Sequence, residues 1–497
     1  MKSDPNSRVQ RFGVAVVGVS ILLCALAYFG FLYVSIWHYT MDDSYISFRY
    51  SRNMIDGYGL RFNPTDALPT EGFTSILWLI AMAPAFLAKV PADAFAKVIN
   101  LCFVLVTALF IGFCIAKATE KRKHAYLGIL FPLVGASAYL CFFPVSILSV
   151  SGMETALSAL LVTLGAYQVL RFEDGVRLSS AGVFATTLLA MSLVRPDLSL
   201  LAVAMLLTVF FTTSRSEDKR LLIRSGLCYV LAGTLYFGWR WWYFSSFLPL
   251  PFYIKAAGSG LHGVDSVLGF LKEPLVALTV ALSLIATGKC RGLFLGALAY
   301  MLFFTKPEHL MGEGHRFLMP ILPILIVVGL STASKTLNKN TYKVAAAAPA
   351  LLTLLMIGSA MSIDPGEMTF LNAYAKALKS TYGAIGETLK NESRSGVVAV
   401  SSVGLISYTS NWSVIDMFGL CNATIAKHPD ERLDVTFRSE PNYIILVSSR
   451  RERYTPYVSQ HRSDFNQKIF DTAIEKDYHV TQISEFLPGF YLFVLKR

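Results

Sequence analysis

Residues 13–53 of the chain read GVAVVGVSILLCALAYFGFLYVSIWHYTMDDSYISFRYSRN. The part up to Trp37 is almost wholly apolar and is long enough to cross the hydrocarbon core of a bilayer, which is about 30 Å thick. It is too long for the apolar core of a cleaved signal peptide, so we expect an uncleaved transmembrane helix. Two adjacent carboxylates, Asp42 and Asp43, follow directly after it. The stretch therefore predicts a membrane protein with an acidic loop at the membrane surface.

The composition of the whole chain indicates the same class. Of its 497 residues, 54% are hydrophobic and only 15% are charged, whereas a typical soluble domain has about 25% charged residues. Apolar runs recur along the chain, and we expect a polytopic α-helical membrane protein. The predicted spans cover approximately residues 13–37, 73–90, 93–117, 126–147, 153–170, 181–195, 197–213, 221–245, 272–289, 291–304, 317–334 and 344–362. The run at 73–90 contains Pro84 and is either a full span or a partial, broken helix.

Charge is distributed unevenly along the chain. The formal net charge is +11, and residues 365–497 hold 15 Lys or Arg against 14 Asp or Glu, which leaves +10 for residues 1–364. Basic side chains concentrate in alternate loops, as is typical of cytoplasmic loops. With the N-terminus also cytoplasmic, the loop at 38–72 and the C-terminal part lie on the outer side. The basic excess suits anionic lipid rather than nucleic acid, because no Lys/Arg stripe alternates with aromatic residues.

Two parts of different character are predicted. Residues 1–364 are expected to form a transmembrane module of about 11–13 helices with an outer loop at 38–72. After residue 364, helical periodicity over residues 370–389 precedes short β-rich runs. These runs lie at residues 397–400, 414–415, 443–447 and 490–494. Alternating helices and buried strands are typical of an α/β fold, so residues 365–497 are predicted to be a small soluble domain on the outer face.

The outer loop holds the strongest candidate site. A carboxylate of Asp42 or Asp43 could remove a proton from an incoming hydroxyl group. The two together could instead bind a divalent cation such as Mg²⁺, Mn²⁺ or Ca²⁺. A third interpretation is that both acids merely help to cap a helix. In the amphipathic segment that follows, Arg49 and Arg52 are predicted to face polar head groups.

Other ionisable residues lie at the outer ends of predicted spans. Glu71 and Glu154 each stand near a helix start, where an acid either caps the helix or belongs to a site. Arg195 precedes Pro196 and Asp197 and is either a ligand-binding cation or half of a local ion pair. The remaining cations of this group are Lys255, His315 and Arg316. Acids and cations on one side suit an enzyme that activates a hydroxyl and neutralises a phosphate, whereas transporters more often have ionisable groups at the midplane.

Several motifs resemble those of the GT-C glycosyltransferases. The loop motif is similar to the first outer loop of the terminal arabinofuranosyltransferases, which act on cell-wall arabinan, and of related enzymes that decorate pilin. It comprises residues 42–53, GYGL at 57–60, FNP at 62–64, EGFTS at 71–75 and LW at 77–78. Shorter similar motifs are SGMETAL at 151–157, RPD at 195–197, HRFLMP at 315–320, LP at 322–323 and DMFGL at 416–420. The resemblance extends through most of the chain.

The resemblance implies a GT-C fold in a bacterial inner (plasma) membrane, with the active site at the outer leaflet and a polyprenyl-phosphate sugar as donor. It implies transfer of D-arabinofuranose to a hydroxyl of a cell-envelope glycan or surface protein. Asp42 and Asp43 become the catalytic acids. Contacts with the donor phosphate are then expected from Lys255, His315, Arg316 and Arg195. The residues expected to line the acceptor side are Glu71, Glu154, Arg49 and Arg52.

Two alternatives stay open. Another GT-C transferase could use mannose, aminoarabinose or a different lipid-linked sugar with a similar loop. A flippase of polyprenyl-linked sugars would use the acids as a cation-coupling site and would need no acceptor. The expected partners are the lipid-linked donor, a glycan or protein acceptor and membrane lipids, without nucleic acid, and a divalent cation is the one cofactor that the acid pair suggests.

Overall fold

α-Helices account for most of the chain. The computed structural model describes residues 5–120, 127–172, 177–255, 260–307, 309, 312–336, 365–393, 395–457 and 460–497. The helices up to residue 336 are α1 (Pro5–Ser35), α2 (Ser44–Ile55), α3 (Ile76–Leu87), α4 (Ala92–Thr119), α5 (Leu127–Cys141), α6 (Phe143–Val150), α7 (Thr155–Arg171), α8 (Leu178–Val194), α9 (Ser199–Thr212), α10 (Ser216–Phe244), α11 (Leu250–Lys255), α12 (Val264–Lys272), α13 (Pro274–Ser283), α14 (Gly288–Phe303) and α15 (Leu322–Thr336). Single 3₁₀ turns lie at Pro196–Leu198, Glu313–His315 and Met319–Ile321.

The C-terminal residues combine short helices with five strands. The helices are α16 (Pro365–Leu378), α17 (Ala384–Glu392), α18 (Leu405–Ser410), α19 (Ala423–Lys427), α20 (Arg432–Arg438) and α21 (Gln460–Glu475). The strands are β1 (Val397–Val400), β2 (Ser413–Asp416), β3 (Tyr443–Ser448), β4 (His479–Leu487) and β5 (Phe490–Lys496). A π-helical turn at Lys379–Gly383 joins α16 to α17.

The chain divides into two compact units. The first unit comprises the described parts of residues 1–37, 97–236 and 258–365. The second unit comprises the described parts of residues 38–96, 237–257 and 366–497. The acidic outer loop therefore packs in one unit with the C-terminal residues, which the sequence did not lead us to expect. The predicted division into a membrane module and an outer domain at residue 364 stays a prediction.

Several helices are long and apolar enough to cross a membrane. Four meet this criterion singly: Phe12–Ser35, Ala92–Thr119, Ser216–Phe244 and Met319–Thr336. Two further candidates are bent pairs: Gly128–Cys141 with Phe143–Val150, at 61°, and Val264–Lys272 with Pro274–Ser283, at 87°. The described residues thus contain up to six spans by this measure, and the predicted span at 344–362 lies outside them. The prediction of a polytopic, multi-pass membrane protein is confirmed.

The outward surface of these helices matches a lipid environment. On α10, the side chains of Leu227, Val230, Leu231 and Leu235 are each more than half exposed. Apolar side chains repeated at this spacing form a continuous apolar stripe, which a water-soluble surface rarely carries. A bilayer supplies the missing apolar surroundings for such a stripe.

The predicted run at 73–90 is a short helix. α3 has 12 residues, and at a rise of about 1.5 Å per residue it is roughly 18 Å long, well short of a bilayer core. Pro84 lies in the last turn of α3, where it lacks the N–H that would bond the carbonyl of Ile80, and the helix ends three residues later. Trp78, Leu79 and Met82 are fully buried. Of the two alternatives for this run, the structure therefore supports the partial helix.

The C-terminal sheet is mixed and has the strand order β2-β1-β3-β5-β4. β1 pairs in parallel with β2 and β3, whereas β5 pairs antiparallel with β3 and β4. Ile444, Leu446, Ile469, Phe493 and Leu495 form its buried core. The predicted α/β character is confirmed. β4 was not predicted, because its outward-facing polar residues leave no apolar run in the sequence.

Candidate active site

The carboxyl ends of the parallel strands β1 and β2 lie side by side in the second unit. Loops at residues 401–404 and 417–422 follow these strands. In parallel sheets, this is the edge at which functional groups usually gather, because neighbouring loops leave the sheet in the same direction. Several residues of the acidic outer loop contact these two loops and α18.

Asp42 is held by the loop that follows β1. Its carboxylate oxygens accept hydrogen bonds from the backbone N–H groups of Gly404, at 3.1 Å, and Leu405, at 2.8 Å. Its own backbone N–H donates to the hydroxyl oxygen of Tyr374 at 3.4 Å. Asp42 is 7% exposed, and burial raises the pKa of its carboxyl to about 6 although the two N–H donors oppose this shift. Asp42 thus caps the start of α18, which lies 362 residues later in the chain.

Asp43 has a different environment. It occupies the N-cap position of α2, but its side chain makes no capping hydrogen bond to that helix. It is partly exposed, unlike the buried Asp42. The interpretation that both acids help to cap a helix therefore holds for Asp42, which bonds the first amides of α18, and not for Asp43, whose side chain does not cap α2.

Arg49 is buried and does not face head groups, so that prediction is wrong. The residue is 1% exposed. Its guanidinium donates to the carbonyl oxygens of Phe62, at 2.8 Å, Trp412, at 2.7 Å, and Ser407. It also donates to the side-chain oxygen of Asn63 at 3.2 Å. These four acceptors surround the planar guanidinium group and make burial of its charge possible.

Arg52 also contacts the C-terminal residues. It donates to the carbonyl oxygen of Tyr408 and to the side-chain oxygen of Asn411, both at 3.0 Å. Its guanidinium carbon lies 4.6 Å from the centre of the Tyr408 ring, within the range of a cation–π contact. α2 is therefore fastened to α18 through two arginines one turn apart. Site-lining roles for Arg49 and Arg52 stay predictions.

Asn63 covers the edge of the sheet. β2 is an edge strand, and Asn63 pairs with both main-chain groups of Val414 in that strand. The side-chain oxygen accepts from the Val414 N–H at 3.0 Å, and the side-chain amide donates to the Val414 carbonyl at 2.9 Å. Side-chain pairing of an exposed strand edge prevents unwanted strand addition and makes the outer loop an integral part of this unit.

Glu71 forms a buried ion pair that its sequence position did not reveal. Both of its carboxylate oxygens accept from Nε of Arg240, at 2.9 and 2.7 Å. Arg240 also donates to the carbonyl oxygens of Ser246 and Phe247. Both partners of the pair are under 5% exposed. The predicted acceptor-lining role of Glu71 stays a prediction, and its observed contact is structural.

Arg195 belongs to a buried cluster in the first unit. Its Nη2 lies 3.1 Å from an oxygen of Asp197, and its Nη1 lies 3.9 Å from an oxygen of Glu154. Tyr300 donates a short hydrogen bond to the same carboxylate of Asp197. The structure thus shows the local ion pair that the sequence offered as one of two interpretations for Arg195. Two carboxylates face one guanidinium, so the cluster has no surplus positive charge for a phosphate.

The other predicted cations differ in how much the structure shows. His315 lies 3.4 Å from a carboxylate oxygen of Glu273, at its Nε2. Arg316 is 5% exposed and its guanidinium carbon lies 4.9 Å from the centre of the Phe317 ring. The side chain of Lys255 lies outside the described part of the chain. Donor-phosphate contacts by these three residues stay predictions.

The acid pair was also predicted as a site for a divalent cation. Within the described ranges, no group of three or more His, Cys, Asp or Glu residues is placed to share one ion. Both carboxylate oxygens of Asp42 already accept hydrogens from backbone amides. A cation at Asp43 would therefore draw most of its ligands from water or substrate. Divalent-cation dependence stays a prediction, and we derive no step through a metal.

Two residues of these clusters were missed in the sequence. Arg240 lies within the predicted span 221–245 and Tyr300 within the predicted span 291–304, and neither is among the predicted site residues. A charged residue flanked by tryptophans within an apolar helix is expensive to bury alone, so Arg240 itself signalled a buried partner. Gly404 and Tyr374 carried no such signal, because their contacts with Asp42 run through a backbone amide and a phenol far away in sequence.

The fold is similar to that of ArnT from Cupriavidus metallidurans. The form bound to undecaprenyl phosphate superposes with a TM-score of 0.62 over 96% of this chain and 97% of ArnT, at 13% sequence identity. The apo form gives the same score and coverage at 12% identity. At such low identity the similarity establishes the fold, and the predicted GT-C fold is confirmed. The mycobacterial arabinofuranosyltransferase AftD matches with a TM-score of only 0.49, at 14% identity over 98% of this chain and 40% of AftD, and supports no conclusion.

Sequence comparison finds one family match, which covers only the C-terminal part of the chain. A family described as a domain of unknown function, DUF8728, matches residues 371–493. These residues cover most of the C-terminal sheet and its helices, but not the outer loop that packs with them. No curated protein matches the sequence significantly.

Proposed function

We propose that this protein is a membrane glycosyltransferase that moves a sugar from a polyprenyl-phosphate donor to a hydroxyl group of a cell-envelope glycan or surface protein. The observation that carries the proposal is the carboxylate pair Asp42 and Asp43 in the outer loop of a chain with the ArnT fold. The undecaprenyl phosphate bound to ArnT supports a polyprenyl phosphate as the carrier of the donor sugar.

The proposed reaction is a single displacement at the anomeric carbon of the donor sugar. One carboxylate of the pair accepts the proton of the acceptor hydroxyl. The acceptor oxygen then forms a bond to the anomeric carbon, and the bond from that carbon to the phosphate oxygen breaks. Polyprenyl phosphate leaves with the bonding electrons. This reaction belongs to the general class of glycosyl transfer, EC 2.4.

Cations are needed where negative charge develops on the leaving phosphate. We assign this role to Arg316, His315 and Lys255, as the sequence predicted. Arg195 is a weaker candidate, because Asp197 and Glu154 already neutralise its charge. Its proposed role is to hold these two acids in place.

D-Arabinofuranose is the sugar that the loop motif favours, and mannose and aminoarabinose are the alternatives. We also propose that the protein lies in a bacterial inner membrane, with the N-terminus cytoplasmic and the C-terminal sheet outside. This orientation places Asp42 and Asp43 on the side where lipid-linked sugars meet envelope acceptors.

The test is turnover by the purified full-length protein in nanodiscs. Synthetic short-chain polyprenyl-phospho-arabinofuranose, -mannose and -aminoarabinose are offered with arabinan, pilin-like peptide and lipid acceptors, with Mg²⁺ or with EDTA. We expect transfer of one sugar, loss of transfer in Asp43→Asn, and wild-type transfer in Asp56→Asn. Asp56 is a matched control because it is an exposed acid at the other end of α2.

The alternative function makes a different prediction in the same material. A flippase would move lipid-linked sugar across the vesicle membrane without any acceptor. Movement of every donor without formation of any glycoside would contradict the transferase proposal. Transfer of mannose or aminoarabinose, but not arabinofuranose, would keep the reaction and change the sugar.

A further inference from the structure

The two adjacent acids of the outer loop are not equivalent. Asp42 is buried, and each of its carboxylate oxygens accepts one backbone N–H from the loop at 401–405. Asp43, its neighbour, is partly exposed, and its carboxylate does not cap α2. A general base must direct an oxygen lone pair at the proton that it accepts. Asp43 is the more accessible of the two to an incoming hydroxyl, because it is partly exposed, whereas Asp42 is 7% exposed and each of its oxygens accepts a backbone amide.

The loop at 401–405 approaches Asp42 so closely that it tolerates no side chain. A Cβ atom at Gly404 would lie 2.1 Å from the carbonyl oxygen of Asp42 and 2.5 Å from its carboxyl carbon. Real Cβ contacts essentially never reach such distances, so any larger residue must displace Asp42. The main chain of Asp42 is held from another direction, because its N–H donates to the hydroxyl of Tyr374 in α16.

The position of Asp43 depends on these contacts. Asp42 and Asp43 are consecutive, and the backbone N–H of Tyr45 donates to the carbonyl oxygen of Asp42 in the first turn of α2. Arg49 and Arg52 fasten the rest of α2 to α18. The C-terminal residues thus fix where α2 begins, which of its faces packs against α18 and the direction in which it runs. Asp43 is the N-cap residue of this helix.

We propose that Asp42 is a positioning residue, clamped by Gly404 and Leu405, and that Asp43 is the carboxylate that accepts the acceptor proton. The inference rests on the proposed function and assigns unequal roles to its acid pair. It also gives a role to residues 371–493, which match a domain of unknown function: their β1–α18 loop sets the geometry of the catalytic loop.

The clamp itself can be measured without any substrate. Hydrogen–deuterium exchange of the full-length protein in nanodiscs follows the amides of Gly404 and Leu405, which donate to Asp42. We expect Asp42→Asn to accelerate their exchange at least about tenfold, because an asparagine offers one oxygen where two donors converge. Asp43→Asn and Asp56→Asn are expected to leave these two amides unchanged. Unchanged exchange in Asp42→Asn would overturn the clamp.

The division of roles is measured by kinetics with the donor that supports turnover. We expect Asp43→Asn to lower kcat roughly 10²- to 10⁴-fold and to remove the acid limb of the pH profile. Asp42→Asn is expected to lower kcat by about 10- to 100-fold, with the donor KM unchanged and the acid limb retained. A purely structural loss would lower only the fraction of active protein, so kcat is expressed per mole of protein that binds the donor, and its fall in Asp42→Asn then reports positioning. Loss of the acid limb in Asp42→Asn with its retention in Asp43→Asn would overturn the inference.

Two glycine substitutions test the same clamp without a change to either acid. Gly404→Ala is expected to reproduce both the faster exchange at Leu405 and the lower kcat of Asp42→Asn. Gly383→Ala is the matched control, because a Cβ atom there lies 3.6 Å or more from every neighbour, at ordinary contact distance. Because both lesions break one contact, the double variant Asp42→Asn/Gly404→Ala is expected to be no slower than Asp42→Asn. Full additivity would contradict a shared clamp.

Failure of the proposed function would give a different result from failure of the clamp. If the wild-type protein transfers none of the donors, the proposed glycosyltransferase is wrong and Asp43 loses its role as base. The exchange experiment still decides the clamp in that case, because it needs no turnover.

Discussion

The Asp42 region of the second unit and the Arg195 region of the first unit both bury charge, but with different partners. Asp42 and Arg49 bond backbone N–H and C=O groups that lie about 360 residues away in sequence. Arg195 bonds the side chain of Asp197, two residues away. Charges held by the main chain depend on the whole fold of their unit, whereas charges held by side chains depend on a few replaceable partners. The first kind defines geometry more strictly and is harder to replace.

The largest effect is expected from Arg49→Met, which tests a buried charge whose partners are mainly main-chain carbonyl groups. The substitution keeps an apolar side chain but removes four hydrogen bonds from the guanidinium to three carbonyl oxygens and the Asn63 side chain. The Phe62 carbonyl keeps a donor in Asn53, and the Asn63 oxygen keeps one in the Val414 N–H. A hydrogen bond from a charged group contributes about 1.5–3 kcal/mol, so we expect the four lost bonds to lower the free energy of unfolding by about 5 kcal/mol or more. Thermal unfolding of the detergent-solubilised protein measures the loss. Arg52→Met is the control one turn away, and an equal loss there would break the comparison.

A smaller effect is expected from Glu71→Gln, which tests a buried charge in the second unit whose partner is the side chain of Arg240. The change leaves the buried guanidinium of Arg240 without its countercharge. Removal of one partner from a buried ion pair costs about 3–5 kcal/mol, and we expect a loss in that range because Arg240 cannot reach water. Urea or thermal unfolding measures it. Glu387→Gln, at an exposed pair with Lys390, is the control and should cost under about 1 kcal/mol.

The pH dependence of stability sharpens the description of Asp42. Burial raises the pKa of its carboxyl from the ordinary 3.8 to about 6, so the folded state binds this proton more tightly than the unfolded chain does. This contribution is fully present below about pH 4 and is lost as the pH rises through about 6, with a magnitude of about 3 kcal/mol. The measurement is the unfolding midpoint of wild type minus that of Asp42→Asn between pH 4 and 7. A difference that does not change with pH would contradict the raised pKa.

The smallest effect is expected from Glu154→Gln in the Arg195 cluster. Oε1 of Glu154 lies 3.9 Å from Nη1 of Arg195, too far for a hydrogen bond, and Asp197 keeps the guanidinium neutralised. We expect a loss of under about 1 kcal/mol in the free energy of unfolding, because the buried guanidinium keeps Asp197 as its hydrogen-bonded countercharge. Asp197→Asn is the paired variant and should cost clearly more, because it weakens the bonds to both Arg195 and Tyr300. Equal losses would show that the two acids share the charge of Arg195.

The same contrast explains how much of the molecule was predictable. Long apolar runs and β-rich runs have local signals, so the helical membrane part and most of the C-terminal strands were predicted from the sequence. The ion pair of Arg195 was foreseen as one option, because its partner is two residues away. The burial of Arg49 was not foreseen, because its acceptors are main-chain oxygens, which every residue possesses.

The candidate site was predictable in its residues but not in its division of labour. The motif identified Asp42 and Asp43 as a pair and gave them one role. Their difference arises from the approach of Gly404 and Leu405, which the folding of residues 366–497 together with the outer loop brings about. No pattern within the loop itself encodes that approach.

The central claim is that Asp43 carries out proton transfer in a polyprenyl-phosphate-dependent glycosyltransferase. The most direct measurement compares wild type and Asp43→Asn for binding of a synthetic polyprenyl-phospho-arabinofuranose and for formation of the glycoside. The account predicts that both proteins bind the donor with similar affinity and that Asp43→Asn forms product roughly 10²- to 10⁴-fold more slowly than the wild type. Product formation by Asp43→Asn at the wild-type rate would contradict it.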